Sequence, residues 1–312
     1  MALTGATGFL GRHVAVALAA SGFRVRVLAR REVAHPLWRD FTPEVVAGVL
    51  EDAAALARLV EGAEVVIHLA GLIRGRSRGE FLRVNRDGSS RLAEAVRSHA
   101  PASHLVGISS LAAREPQVSS YAESKLAGER ALVEVFGGRR LTILRLPVVY
   151  GPWDKATLGI FRAAAGRVVP VPALPGARIA MIHVEDVAAA IAALAAWPGA
   201  PGGRYALADP NPGGYSLRDI LGTAATALGH APRFLPVPRA AVLLAGQAAG
   251  LAGLLRGRPA FFNAGKAREM LHSDWSVRPD ELLPATIARP GIGLREGFTA
   301  AAVWYRQAGW LT

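Results

Sequence analysis

The stretch Ala2-Leu3-Thr4-Gly5-Ala6-Thr7-Gly8-Phe9-Leu10-Gly11-Arg12 decides the fold. A short apolar run enters a turn with glycine at positions 5, 8 and 11, after which Leu10, Val14, Ala17 and Leu18 share one helical face. The order is strand, glycine turn, helix. A turn of this kind presents unpaired backbone N–H groups at a helix N-terminus, where the helix dipole also favours negative charge, so it suits the pyrophosphate of a dinucleotide. Gly5 permits the tight turn, Gly8 lets the backbone approach phosphates, and Gly11 lets the helix lie close to the strand.

Working outward, Ser21-Gly22 stops the helix and Phe23-Arg24-Val25-Arg26-Val27-Leu28-Ala29 returns as a second strand, completing a βαβ unit. Arg30-Arg31 follows where a dinucleotide fold reads the adenosine ribose. A carboxylate there would bind the free 2′-hydroxyl of NAD, whereas arginines pair with the 2′-phosphate of NADP, so NADP is expected, with NAD possible. Val45-Val46-Ala47-Gly48 reads as a third strand, and Glu64 to Gly71 as a buried fourth strand whose small final residues, Ala70 and Gly71, let a ligand lie against the backbone. His68 within it has no acidic or histidine partner nearby and reads as a satisfied core imidazole, not a ligand. Arg74, Arg76 and Arg78 could hold an anionic substrate but read first as a solvated loop.

A helix is expected from Phe81 to His99, then a strand from Ser103 through Ile108 to Ser109-Ser110, then Tyr121-Ala122-Glu123-Ser124-Lys125 entering another helix. With 5 tyrosines and lysine only at 125, 155 and 266, a Tyr followed four places on by Lys arises by chance about 0.05 times in 312 positions. Residues i and i+4 lie one above the other on a helix, so Lys125 can set its charge beside the Tyr121 phenol. A nearby cation favours the phenolate, which otherwise forms only near pH ~10, and equips Tyr121 to trade a proton with an alcohol or carbonyl. Ser109 and Ser110 are both placed to orient that oxygen, Ser110 being the better aligned.

These residues resemble the short-chain dehydrogenase/reductase superfamily in its extended branch, the NAD-dependent epimerase/dehydratase family. Thr4 to Gly11 is similar to that branch's cofactor loop, His68-Leu69-Ala70-Gly71 to its fourth-strand motif, and Val84-Asn85-Arg86-Asp87-Gly88-Ser89 to its Val-Asn-x-x-Gly-Thr helix. Tyr121 and Lys125 match its catalytic pair, Leu144 to Pro152 the strand and loop passing the nicotinamide, and His183 to Val187 a later strand-to-helix junction. The resemblance implies a cofactor cradled by Gly5, Thr7, Gly8, Phe9 and Leu10 and lined by Leu50, Leu69, Ala70, Gly71, Ile108, Leu146, Pro147 and Val148, with Tyr121 and Lys125 against the nicotinamide ribose. It implies catalysis by Ser110, Tyr121 and Lys125, with Asn85 in a proton relay, and a homodimer through helices 81–99 and 121–136. Gly48-Val49-Leu50 departs from the pattern, lacking the aspartate common near the adenine.

The fold class expected is therefore α/β: a doubly wound parallel Rossmann sheet over 1–150 with 178–208 returning to it, and a smaller substrate lobe of 151–177 and 209–312 rich in proline and glycine. At 312 residues the chain can bury a large core, and a soluble globular body is expected. Its formal charge of +12 is almost all arginine and forms no basic stripe interleaved with aromatics, so nucleic acid is not an expected partner. The absence of cysteine excludes disulfides and thiolate chemistry and agrees with a cytoplasmic location; no basic segment precedes an apolar one, so no secretory signal is expected. The 8 histidines show no metal-ligand spacing, and no metal is expected.

In the second lobe, Val184–Trp197 reads as a helix with Glu185 and Asp186 as capping acids. Ala240–Leu255 carries no charge and is flanked by Arg233, Arg239, Arg256 and Arg258. It reads first as a buried helix, and otherwise as a lid or a peripheral membrane contact, being too short to span a bilayer. Trp275, Trp304 and Trp310 are expected to pack the lobe together. The function expected is NAD(P)-dependent hydride transfer at a secondary alcohol or ketone of a small molecule, as reduction, epimerisation or dehydration. The alternative is a non-catalytic NADPH-binding protein with a structural or sensing role, attached to a complex or membrane.

Overall fold

The computed structural model describes residues 1–31, 33–138, 140–199, 201–256, 260 and 262–311. The chain forms two compact units. The first comprises 1–145, 188–206 and 283–289, the second 146–187, 207–282 and 290–312. Residues 178–187, assigned from sequence to the first part, thus cluster with the second unit, and 283–289 with the first.

In the first unit, strands β1 (Ala2–Thr4), β2 (Arg26–Ala29), β3 (Glu44–Ala47), β4 (Val65–His68), β5 (His104–Ser110) and β6 (Leu141–Leu146) join a later strand, β11 (Gly203–Ala206), in one sheet of order β3-β2-β1-β4-β5-β6-β11. The pairings are parallel, with Leu3 opposite both Val27 and Ile67. Helices α1 (Phe9–Ala20), α2 (Ala53–Val60), α3 (Arg78–Leu82), α4 (Gly88–His99) and α5 (Ser120–Val135) connect the strands. The α2 helix shows why the sequence folds so: Asp52 accepts the Ala55 N–H at 2.9 Å, and Ala55, Leu56, Leu59 and Val60 then recur on one buried face. That face meets Val66 and Leu105 of the sheet and Leu92 and Val96 of α4. Each such leucine, withdrawn from water, contributes ~1.5–3 kcal/mol. Because the strand order reverses between β1 and β4, a crevice opens beyond their carboxyl ends, the place where a doubly wound sheet takes its ligand.

The helix expected over 81–99 is not continuous. It starts at Arg78 behind the Ser77 cap, passes through a wide π turn at Arg83–Asp87, and resumes as α4. The wide turn inserts a residue into the helical register and so turns Asn85 into the protein.

The second unit is built on β7 (Val148–Tyr150), α6 (Leu158–Ala164), β8 (Val168–Pro172), β9 (Arg178–Ile179), β10 (Met181–His183), α8 (Leu217–Leu228), β12 (Arg233–Val237), α9 (Arg239–Leu255), α10 (Ala264–Met270), β13 (Asp274–Trp275) and α11 (Leu294–Gln307); α7 (Val184–Ala196) runs from it into the first. Its strands pair in parallel twos, β7 with β10, β8 with β12 and β9 with β13. Tyr150, Phe161, Phe298 and Tyr305 form its aromatic core, with ring centroids 4.8–5.2 Å apart along that chain. Trp304 and Trp310 pack at its edge with Trp153, but Trp275 does not. Its ring lies 4.3 Å from that of His272, tilted by 45°, and it donates to Glu269 O at 2.8 Å. Glu185 and Asp186 lie in the first turn of α7, as expected, and Asp186 also accepts the N–H groups of Gly291 and Ile292 at 3.1 and 2.8 Å. The α9 helix is not the buried helix expected, since Leu244, Leu251 and Leu255 face solvent. Arg258 lies outside the described residues. Among the described residues, no helix is long and apolar enough to cross a membrane, and no group of His, Asp or Glu side chains is set to hold a metal.

Candidate active site

The glycine turn occupies the predicted place. Gly5 has φ of 73°, and a Cβ added there would lie 2.5 Å from Ala70 N, so the β1 turn rests directly on the backbone leaving β4. A Cβ at Gly11 would lie 2.1 Å from Gly5 O, which is why α1 can begin so close to the strand. Thr7 and Gly8 are exposed, Phe9 and Leu10 half-exposed, and the first turn of α1 carries neither an acidic residue nor a side-chain cap. These features fit a dinucleotide pyrophosphate: the amides at the start of a full-length helix are left to a ligand, and nothing negative opposes it. Arg30 and Arg31 stand exposed just past β2. Leu50 turns instead into the core and packs on the backbone of α4 at Gly88.

Beyond β4, Leu69 N–H donates to Thr4 O at 3.2 Å and Ala70 N–H to Thr4 Oγ1 at 3.4 Å. Beneath this lies a buried polar ladder. Thr4 Oγ1 meets His68 Nδ1 at 2.7 Å, His68 Nε2 meets Ser89 Oγ at 3.0 Å, and Ser89 donates to Asn85 O at 2.7 Å. Since the Ser89 proton is committed to Asn85, its oxygen accepts from His68 Nε2–H, and Nδ1 accepts from Thr4. The imidazole is therefore neutral, and burial beside the Lys125 charge pushes its pKa down to about 3. It is a satisfied core histidine.

The Asn85 side chain closes the next loop: Oδ1 accepts Leu72 N–H at 2.6 Å, while Nδ2 donates to Leu72 O at 3.0 Å and to Ser124 Oγ at 2.8 Å. Ser124 in turn donates to Tyr121 O at 2.8 Å. A Cβ at Gly128 would sit 2.4 Å from Asn85 O, so α5 and the wide turn touch backbone to backbone. Asn85 thus spends its amide on fixing loop and helix. Neither Ser124 nor the π turn is expected from sequence, although Ser124 stands inside the quoted Tyr121–Lys125 stretch.

Tyr121 and Lys125 lie one turn apart on α5, both partly buried. Tyr121 is edge-on to Phe81 at 6.3 Å. Lys125 Nζ donates to Ile108 O at 2.7 Å, tying the helix to the carboxyl end of β5. A Cβ at Gly71 would fall 3.8 Å from that ammonium, so the bare glycine leaves room for a ligand over it. Burial lowers the Lys125 pKa to about 8, against an opposing pull from Glu129. The two serines ending β5 separate by strand alternation. Ser109 is buried and donates to Glu129 Oε1 at 2.5 Å, whereas Ser110 is half-exposed on the side of Ile108 and its Oγ accepts Ala112 N–H at 3.2 Å.

Glu129, one further turn along α5, is a buried anion that sequence reasoning misses. It accepts two hydrogen bonds from Arg145, at 2.8 and 2.7 Å, and meets Arg204 Nε at 3.0 Å. Its only local signal is its i+4 spacing from Lys125, because both arginine partners come from distant strands. Arg78 pairs bidentately with Glu123 of the same helix, so that loop arginine is engaged within the protein. Leu146, Pro147 and Val148 open the second unit, with Leu146 buried and Val148 exposed.

A model of the NAD dependent epimerase/dehydratase family matches residues 1–208. A ceramide reductase of Caulobacter vibrioides is 45% identical over 311 residues, covering 100% of this chain and 96% of the relative. Sterol demethylase protein B of Methylococcus capsulatus is 29% identical over 336 residues, covering 98% of each. In fold, the chain is similar to the UDP-glucose 4-epimerase of Thermus thermophilus in its complex with NAD, with a TM-score of 0.69, 24% identity and 98% of both chains covered. With that match and a relative 45% identical along its whole length, the chain belongs to the NAD dependent epimerase/dehydratase family, as an enzyme of the extended short-chain dehydrogenase/reductase superfamily.

Proposed function

We propose that this enzyme is an NADPH-dependent ketoreductase acting on a ketone carried by a long-chain lipid amide of the ceramide type. The observation that carries the chemistry is the buried Lys125 ammonium, fixed by Ile108 O one helical turn from Tyr121 and under the open face of Gly71. The substrate class is supported by the 45% identity with the ceramide reductase, and NADP over NAD by the exposed Arg30-Arg31 pair with no carboxylate at Ala29 or Arg30.

A nicotinamide cofactor would be held by Gly5, Thr7, Gly8, Phe9, Leu10, Leu69, Ala70, Gly71 and Ile108, and would supply the hydride for the carbonyl carbon. Tyr121 gives its phenolic proton to the carbonyl oxygen, so that a secondary alcohol forms, and is reprotonated from solvent. Lys125 stabilises the resulting phenolate and holds the ribose, and Ser110 orients the carbonyl oxygen by hydrogen bonding. Asn85 acts by position, holding Leu72 and Ser124. The same proposal includes a homodimer through 81–99 and 121–136, where Val133 is exposed on α5, and a cytoplasmic location, in keeping with a cysteine-free chain.

The test is NADPH oxidation with a ketone-bearing long-chain lipid amide of the ceramide type. Tyr121→Phe should lower kcat by about 10²–10⁴ while leaving NADPH affinity unchanged. Full activity in that variant overturns the role of Tyr121. Tight NADPH binding by the wild-type protein without turnover of any ketone overturns the ketoreductase reading.

A further inference from the structure

The α9 helix is oriented contrary to the usual pattern of a surface helix. Its glycines face inward: a Cβ at Gly246 would lie 2.7 Å from Ala267 Cβ of α10, and Gly250 and Gly253 continue the same close-packed side with Val242. Three of its leucines face outward, whereas Val242 and Leu243 pack inward. Leu244, Leu251 and Leu255 recur at i, i+7 and i+11, and are 64%, 60% and 81% exposed, with Ala248 between them on the same line. Gln247 is the one polar side chain in the sequence from 244 to 255.

Charge complements this apolar ridge in one direction. From Ile220 to Arg268 the chain contains no aspartate or glutamate, while Arg233, Arg239 and Arg256 are exposed, the last two at the two ends of the helix. A protein partner that covered the leucines alone would leave this one-signed surround unexplained. An anionic bilayer surface matches both features, because leucines enter the acyl boundary while arginines remain at the phosphates. At 17 residues the helix is ~25 Å long and too short to span, so it lies in the plane of the interface.

We infer that α9 is a membrane-docking helix that seats this enzyme on an anionic lipid surface through Leu244, Leu251 and Leu255, with Arg239 and Arg256 as its phosphate-contacting ends. The inference goes beyond the reading of Tyr121 and is independent of it, since docking requires no turnover.

The full chain should float with vesicles of phosphatidylcholine containing about 30% phosphatidylglycerol and be weakened by salt. Arg239→Gln with Arg256→Gln should weaken binding roughly 30-fold, at about fivefold for each arginine. Leu244→Glu with Leu251→Glu should weaken it more than about 100-fold. All four side chains are exposed, so the urea midpoint should not move; if the leucine pair fails to fold, the arginine pair decides. Wild-type protein that stays in the soluble fraction, or that floats equally with pure phosphatidylcholine, overturns the inference. So does sedimentation equilibrium in which the leucine pair turns a dimer into a monomer, since the ridge would then belong to a second copy. None of these outcomes bears on the Tyr121→Phe result.

Discussion

Replacing Lys125 by methionine should stabilise the cofactor-free protein at neutral pH while stopping turnover. Burial brings the lysine from 10.5 to about 8, which corresponds to ~3 kcal/mol charged against keeping the ammonium in place. The folded-state pKa lies below the unfolded one, so between about pH 8 and 10.5 the native protein binds fewer protons than the unfolded chain and stability rises with pH. Below pH 8 the cost is present in full; above 10.5 it has gone. Methionine fills the same channel without charge but deprives Ile108 O of its donor, at about 1 kcal/mol. The variant should therefore be ~2 kcal/mol more stable than wild type at pH 7 and about 1 kcal/mol less stable above pH 10.5, with the sign changing near about pH 10. Urea unfolding of both proteins, without cofactor, at the two pH values measures that difference. Equal destabilisation by Lys125→Met at both would refute the claim that the ammonium is held at a cost for the sake of chemistry.

His68 should govern part of the acid limb. Its folded pKa of about 3 lies below the unfolded 6.5, so the stability it confers is complete above pH 6.5 and is lost as pH falls toward 3; in His68→Gln the urea midpoint should fall less steeply across that window. Glu129→Gln leaves Arg145 and Arg204 facing a neutral amide and should cost about 3–5 kcal/mol in urea unfolding, with Arg145→Met restoring part of it in the double variant. Gly5→Ala should cost more than about 2 kcal/mol and weaken NADPH binding, whereas Gly22→Ala, at φ of 83° but with open space around it, should cost about 1 kcal/mol and leave binding intact in a fluorescence titration.

What is legible without coordinates is what short spacing encodes. The glycines at 5, 8 and 11 and the Tyr121–Lys125 pair are local patterns whose geometry follows from one turn or one helix, and both stand where expected. Periodicity does not reveal the wide turn at Arg83–Asp87, because one inserted residue leaves the apolar pattern of 81–99 readable as a single helix. Glu129 escapes for a different reason: its meaning resides in Arg145 and Arg204, which only the folded sheet brings to it. In the second unit, strands that pair across long separations, such as Val168–Pro172 with Arg233–Val237, carry prolines and read as loops. The outward leucines of α9 are hidden in the sequence because an uncharged run implies burial unless its glycines are seen to be the packed side.

The bare contact between Gly128 and Asn85 has a practical corollary for anyone retooling this scaffold. With no side chains to trim between them, the rod bearing Tyr121 and the platform beneath it form a fixed jaw, and its bite cannot be widened by a milder substitution. Libraries that diversify this scaffold should spare 85 and 128.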